Sequence, residues 1–435
     1  MPIKLGINKT NYAPLLCAMA VYLVTYNYYS YLFPPLSSVI FLGYQICKLF
    51  FMFLFVWQIG MAVLGKIKRF SGMSYPFLFI MVFVAMNIAM VVYDKGSLSI
   101  LSRNYNMKLA YDTNDQFGYY FSILNTWMGN MGLALWLSNN VSDGKQINKC
   151  LYVSMWLLII PIILTMITHP ELIGVRVSNL EDSTFGGGIW NIGVFGFASI
   201  AWLSVAQYPT MNRKYRKIIG FGLVLIVFAC FAGLSRTSIF MVVASVGVYF
   251  IRSRKTLKTI MNAYFVIILV ILLLIVMYAI KLPMFMSILE RFTDDTSGTQ
   301  NVRLLLWEGY ISYVDEYFWF GAPEGAAYNY YYKIEHLGEH FLPHSAVINY
   351  LIMSGIGGLL SYLSILLIIG FRLKRKSKET SYVSSCMQAW IGGYCILAFM
   401  NQTGFAQIIF YMAFGLGIAL IRIKENEFAI EGRGK

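Results

Sequence analysis

The chain has 435 residues and a formal charge of +14, from 34 Lys and Arg against 20 Asp and Glu, yet only 12% of its residues are charged while 58% are hydrophobic. That balance leaves too few charged residues to coat a soluble protein of this size, and points to a membrane protein with no sizeable soluble domain. The basic residues gather in alternate gaps between apolar stretches, as they do when a chain threads a bilayer and keeps Lys and Arg on its cytoplasmic side. The positive charge therefore reflects topology and gives no argument for nucleic acid as a partner.

Twelve apolar spans are read near residues 12–30, 38–64, 74–93, 117–138, 150–168, 187–207, 218–233, 237–251, 260–281, 344–371, 383–400 and 404–422. An α-helix needs about 20 residues to cross a hydrocarbon core of about 30 Å, and most of these spans have that length. The seventh and eighth are short, and the fourth is interrupted by Asn125, Gly129 and Asn130. With the N terminus inside, the inner gaps collect clusters such as Lys66, Lys68 and Arg69; Arg213, Lys214, Arg216 and Lys217; Arg252, Arg254, Lys255 and Lys258; and Arg372, Lys374, Arg375, Lys376 and Lys378. The outer gaps keep Lys95, Arg103, Lys108, Arg176, Arg236, Lys281, Arg291, Arg303 and Lys333, and Lys48 alone lies within a span. Asp and Glu run the other way, with Asp143, Glu379, Glu425, Glu427 and Glu431 inside and the rest outside. The expectation is an all-α polytopic protein of about 12 transmembrane helices, with residues 1–435 forming a single transmembrane domain and both termini cytoplasmic. The first span is expected to act as a signal anchor. All six cysteines fall in or at the edge of apolar spans, where they neither staple an outer loop nor form a zinc site.

One outer gap, residues 282–343, is far longer than the others and forms a large loop between spans nine and ten. It carries Phe292, Trp307, Phe318, Trp319, Phe320, Phe341 and a run of tyrosines from Tyr328 to Tyr332, which argues for order. Residues 300–320 show helical periodicity, with Leu304, Trp307, Ile311, Val314 and Phe318 on one face. Such a helix is expected to lie along the membrane surface as a lid over a site.

All four histidines, His169, His336, His340 and His344, fall on the outer side in this topology. Imidazole exchanges protons near neutral pH, so an outward-facing enzyme finds its general base among them. His344 is the best placed, following Pro343 and opening span ten; the plainer reading is a solvated histidine near a helix start. His336 and His340 have helical spacing, but Leu337 stands where the zinc-protease signature has Glu, and no metal is expected.

Outer arginines supply the second ingredient, because a guanidinium presents a planar fork of donors that grips phosphate in a bidentate way. Arg236 sits in the tight connection GLSRTS between spans seven and eight, at or just below the bilayer surface; snorkelling to headgroups is its alternative. Arg303 stands four residues before Trp307 on one helical face, and lipid contact is its alternative. Arg176 and Arg291 lie near acidic residues, where surface ion pairing is the plainer role. Lys48 meets an anionic group in a cavity or stretches upward to water. No Walker loop, dinucleotide fingerprint or nucleophile elbow is present. The glycine runs Gly186 to Gly188 and Gly355, Gly357 and Gly358 read as helix entry and close helix packing.

Taken in order, Ser235 and Arg236, then Arg303 and Trp307, then Phe320 and Gly321, then His344, Ser345, Asn349, Gly355 and Gly358 resemble the bacterial O-antigen polymerase and O-antigen ligase superfamily of membrane glycosyltransferases. The resemblance covers roughly residues 230–360, and the rest of the chain matches in hydropathy. It implies a glycosyltransferase-C-like fold in the bacterial inner membrane, acting at the periplasmic face in lipopolysaccharide O-antigen biosynthesis. The implied reaction moves a glycan from undecaprenyl diphosphate to a sugar hydroxyl, with no cofactor and no metal. His344 would be the base, Arg236 and Arg303 the leaving-group clamps, and Arg176, Arg291, Lys48 and Trp307 substrate contacts. The partners implied are the lipid-linked oligosaccharide, membrane lipids and a chain-length regulator protein. A polymerase, whose acceptor is another lipid-linked repeat unit, is the reading adopted; a ligase that transfers to lipid A core, or a lipid-linked oligosaccharide flippase, are the alternatives.

Overall fold

The computed structural model describes residues 12–65, 74–93, 116–168, 236–253, 286, 299–322, 345–373, 378–400 and 408–433. Every regular element among them is helical: α1 (Ala13–Leu32), a 3-10 turn (Pro34–Leu36), α2 (Ser37–Val63), α3 (Tyr75–Tyr93), α4 (Gln116–Asn140), α5 (Gly144–Thr168), α6 (Arg236–Ser253), α7 (Thr299–Ile311), α8 (Val314–Tyr317), α9 (Ala346–Arg372), α10 (Lys378–Met400) and α11 (Ile408–Arg433). Nine of the spans expected from sequence coincide with these helices, and the spans near 187–207, 218–233 and 260–281 lie outside the described residues. Among the described residues, Pro34–Val63 and Ala346–Arg372 are by themselves long and apolar enough to cross a membrane, with shorter apolar stretches at Ala13–Tyr26, Tyr75–Met86 and Ile408–Ile423.

Helix ends also differ from the apolar boundaries. Helix α5 starts at Gly144, ahead of the apolar run, because its cap extends it. The Asp143 carboxylate accepts the Gln146 N–H at 2.7 Å, and the Gln146 side chain accepts the Ser142 N–H at 3.1 Å. This reciprocal arrangement satisfies donors that a helix start leaves open. The preceding helix is closed from the far end of the chain, where the Arg422 guanidinium donates to the carbonyls of Asn139 and Val141.

Helix α11 sits at the centre. Every residue from Ile408 to Ile421 is buried, and the helix packs against α1, α4, α5, α9 and α10. A helix apolar on all sides has to be enclosed in this way. By contrast α2 turns Val39, Leu42, Ile46, Phe53 and Trp57 outward and buries only Phe51, Leu54 and Gln58. Its buried edge meets α4 closely, because Gly132 stands where a Cβ would come within 2.6 Å of the Phe51 carbonyl oxygen. The Gln58 amide donates to the Gly132 carbonyl at 2.9 Å, which satisfies a polar group inside an apolar helix.

The outer segment departs from its expected shape. Instead of one helix over residues 300–320, α7 ends at Ile311, a turn follows at Ser312 and Tyr313, and α8 adds a single turn. Of the apolar face expected to lie along the membrane surface, Leu304 and Ile311 are 60% and 54% exposed. Leu306, Tyr310, Tyr317 and Ala322 are buried instead, in a cluster with Ile352 of α9. Tyrosine decides the register: the Tyr317 hydroxyl donates to the Tyr310 carbonyl, so both rings can be buried without orphaning that hydroxyl.

Candidate functional site

Helix α9 is the element on which the outer segment rests. Its cap, Ser345, has extended backbone and is buried, with its hydroxyl 3.5 Å from the Ala398 carbonyl near the end of α10. Ten residues on, the helix breaks: Gly355 has φ 61° and ψ −170°, a left-handed conformation that L side chains rarely adopt. In an unbroken helix the Ile356 N–H would bond the Ile352 carbonyl. Here the Ile356 N–H donates to the Phe318 carbonyl at 2.6 Å, and the Ile352 carbonyl accepts the Ala322 N–H at 2.6 Å. Phe318 and Ala322 are themselves four residues apart, so the two segments have traded one turn of helical hydrogen bonding across their crossing.

Two glycines make the trade possible. Gly321, at φ 84°, lies where a Cβ would come within 2.7 Å of the Met353 carbonyl carbon, and Gly355 lies where a Cβ would come within 2.6 Å of the Trp319 carbonyl carbon. Each glycine thus seats a peptide of the other segment. Beyond the break, Gly357 makes room for the ring of Phe83 on α3. The bend also brings Tyr350 and Tyr362 into a stack with ring centroids 4.0 Å apart.

The described candidate residues lie on the following elements. Arg303 is in α7 and Trp307, half-buried, lies one turn further along the same helix. Arg236 is the first residue of α6, which packs along α10, the helix that Ser345 touches. Lys48 is half-buried midway along α2, with its ammonium 5.4 Å from the centroid of the Tyr44 ring. Helix α4 links it to α9: Gly129 faces the Lys48 backbone carbonyl, while Trp127 stands edge-on to Tyr350 at 6.2 Å. His344, which immediately precedes Ser345, lies outside the described residues, as do Arg176, Arg291, His169, His336, His340 and the run Gly186 to Gly188. The structure therefore ties α7 to α9, and α6 and α9 to α10, and places Lys48 across α4 from Tyr350.

One titratable group of the outer segment is shifted. Burial pushes the Tyr317 hydroxyl up to about 12, with the neighbouring Glu316 carboxylate adding to the effect. It remains a neutral donor to Tyr310 at any physiological pH.

Residues 221–363 match a family model described as O-antigen ligase. That segment of the chain is similar to the O-antigen ligase family. The matched residues cover α6, α7, α8 and the first part of α9, and include Arg236, Arg291, Arg303, Trp307, His344 and both crossing glycines. The likeness to this family and the two long apolar helices both fit a helical membrane protein. No curated protein matches the chain. Sequence reasoning treated Phe320 and Gly321 as one motif and Gly355 and Gly358 as another. Their partnership had no signal in the sequence beyond the glycines themselves.

Proposed function

We propose that this protein is an O-antigen polymerase of the bacterial inner membrane, multi-pass with about twelve spans, working at the periplasmic face. It transfers a glycan from undecaprenyl diphosphate to a sugar hydroxyl of a second lipid-linked repeat unit. The observation that carries this reading is that one family segment, residues 221–363, contains Arg236, Arg291, Arg303, Trp307 and His344. In the orientation set by the basic residues, the start of α6, the start of α9 and the end of α10 share the outer face.

The proposed chemistry is a single displacement. The acceptor O–H gives its proton to the His344 imidazole, and its oxygen bonds the anomeric carbon. The bond from that carbon to the diphosphate oxygen breaks, and the lipid diphosphate leaves with the electron pair. Arg236 and Arg303 meet the charge that builds on the leaving group, which fixed donors in a water-poor cavity stabilise without reorganising. Arg176, Arg291, Lys48 and Trp307 are further substrate contacts, and no metal is needed. A chain-length regulator protein is the proposed partner.

The description of the matched family favours a second reading, a ligase that passes the glycan to lipid A core. Purified protein given a synthetic lipid-linked repeat, alone and with lipid A core, separates the two. Lengthening of the lipid-linked chain supports the polymerase, and transfer to core without lengthening supports the ligase. In cells lacking the native gene, His344→Ala and Arg236→Ala should leave single repeat units while the protein is still expressed. Full-length polymer from both would end the proposal.

A further inference from the structure

The outer segment need not be a lid. We infer that Gly321 and Gly355 are positioning residues, which splice the arm formed by α7, α8 and residues 318–322 onto α9 as a fixed extension of that helix. Four backbone groups hold the splice: the N–H groups of Ala322 and Ile356, and the carbonyls of Ile352 and Phe318. Lifting the arm would strand all four unless α9 healed its own turn, which requires Gly355 to return to helical angles. A straight helix would hold the Cα atoms of Tyr350 and Tyr362 about 18 Å apart. Healing would therefore pull apart their stack and disturb the buried layer in which Tyr350 bonds Tyr411 and Tyr362 bonds Tyr394. The crossing itself lies about 9–15 Å along α9 from its first residue, a depth at which irregular backbone persists only where protein covers and satisfies it. The exchanged bonds and the buried cluster of Leu306, Tyr310, Tyr317, Ala322 and Ile352 do both.

The consequence for catalysis rests on the function proposed above. A fixed arm holds the α7 segment that bears Arg303 and Trp307 in constant register with Ser345 and the start of α9. The clamp is then preorganised.

Hydrogen exchange on the native chain in nanodiscs, with and without undecaprenyl diphosphate, tests the splice independently of any activity. The amides of residues 318–322 and 352–356 should exchange slowly, about a hundredfold below open-chain rates, and equally with and without the lipid. Fast exchange without the lipid, or loosening when it binds, would overturn the inference. Gly321→Ala should lower kcat by about 10²-fold with KM nearly unchanged, because displaced groups lose orientation more than binding. A Gly321→Ala protein that folds and keeps its kcat overturns the positioning role. Should the native protein transfer no glycan at all, the proposed function fails while the exchange measurement still decides the splice.

Discussion

Tyr350 and Tyr362 belong to one helix, are twelve residues apart, and stack face to face with centroids 4.0 Å apart. Only the break at Gly355 permits this. The pair then ties α9 to the central helix through Tyr350, which meets the Tyr411 hydroxyl at 2.5 Å, and to α10 through Tyr362, which donates to Tyr394 at 2.8 Å. Truncating Tyr362 to Ala should cost about 3–5 kcal/mol through the cavity it leaves. Tyr350→Phe should cost about 1 kcal/mol, the net worth of one hydrogen bond. Thermal unfolding followed by size-exclusion of detergent-solubilised protein would rank them.

Glycine substitutions should divide sharply by position. Gly355→Ala combines a left-handed backbone, worth about 1–2 kcal/mol, with overpacking against the Trp319 peptide of about 1–3 kcal/mol. Gly60→Ala, in α2 with nothing within 4 Å, should be neutral or stabilise by about 0.5–1 kcal/mol. Equal melting points for the two variants would contradict the crossing.

Tyr317 gives the arm an alkaline limit. Its folded value of about 12 lies above the reference value of 10.0, so the folded state holds the proton more tightly than the unfolded one. The associated stability is complete below about pH 10 and is lost as pH rises toward 12. Tyr317→Phe should flatten that part of the stability profile, measured as unfolding midpoint against pH, and leave the acid side unchanged.

Arg303→Lys keeps the charge and loses the planar fork, so transfer should fall by about 10²–10³-fold, the scale of removing one donor to a developing anion. Lys48→Met, on the far side of α4, should act more weakly and on KM. The readout is transfer from a lipid-linked repeat, with expression checked in parallel. Equal tolerance of Arg303→Lys and wild type would remove the clamp role.

The helices were legible because their cause is local. Apolar composition over twenty or so residues and basic residues in alternate gaps are written along the chain, and α1 to α4, α6, α9 and α10 begin and end close to where these signals change. Errors came where polar contacts extended a helix, as Asp143 and Gln146 do for α5, or where a polar tip disguised a core ring, as in Tyr310 and Tyr317. The candidate site divides in the same way. Residue chemistry named Arg236, Arg303, Trp307 and His344, since guanidinium and imidazole carry their capacity in the side chain. The seating of α7, which bears Arg303 and Trp307, against α9 is carried by other residues.

By itself the sequence determined a chain of apolar helices with basic residues in alternate gaps, and a stretch from roughly residue 230 to 360 that resembles one superfamily. Those depend on hydropathy and on residue order, which every chain displays openly. The tertiary structure alone decided that α9 breaks at Gly355, that the arm turns Tyr310 and Tyr317 inward, and that one helical turn is shared between two segments of the chain. A left-handed glycine has the same letter as a helical one, and a hydrogen bond traded between residues 322 and 352 exists only once both backbones are in place.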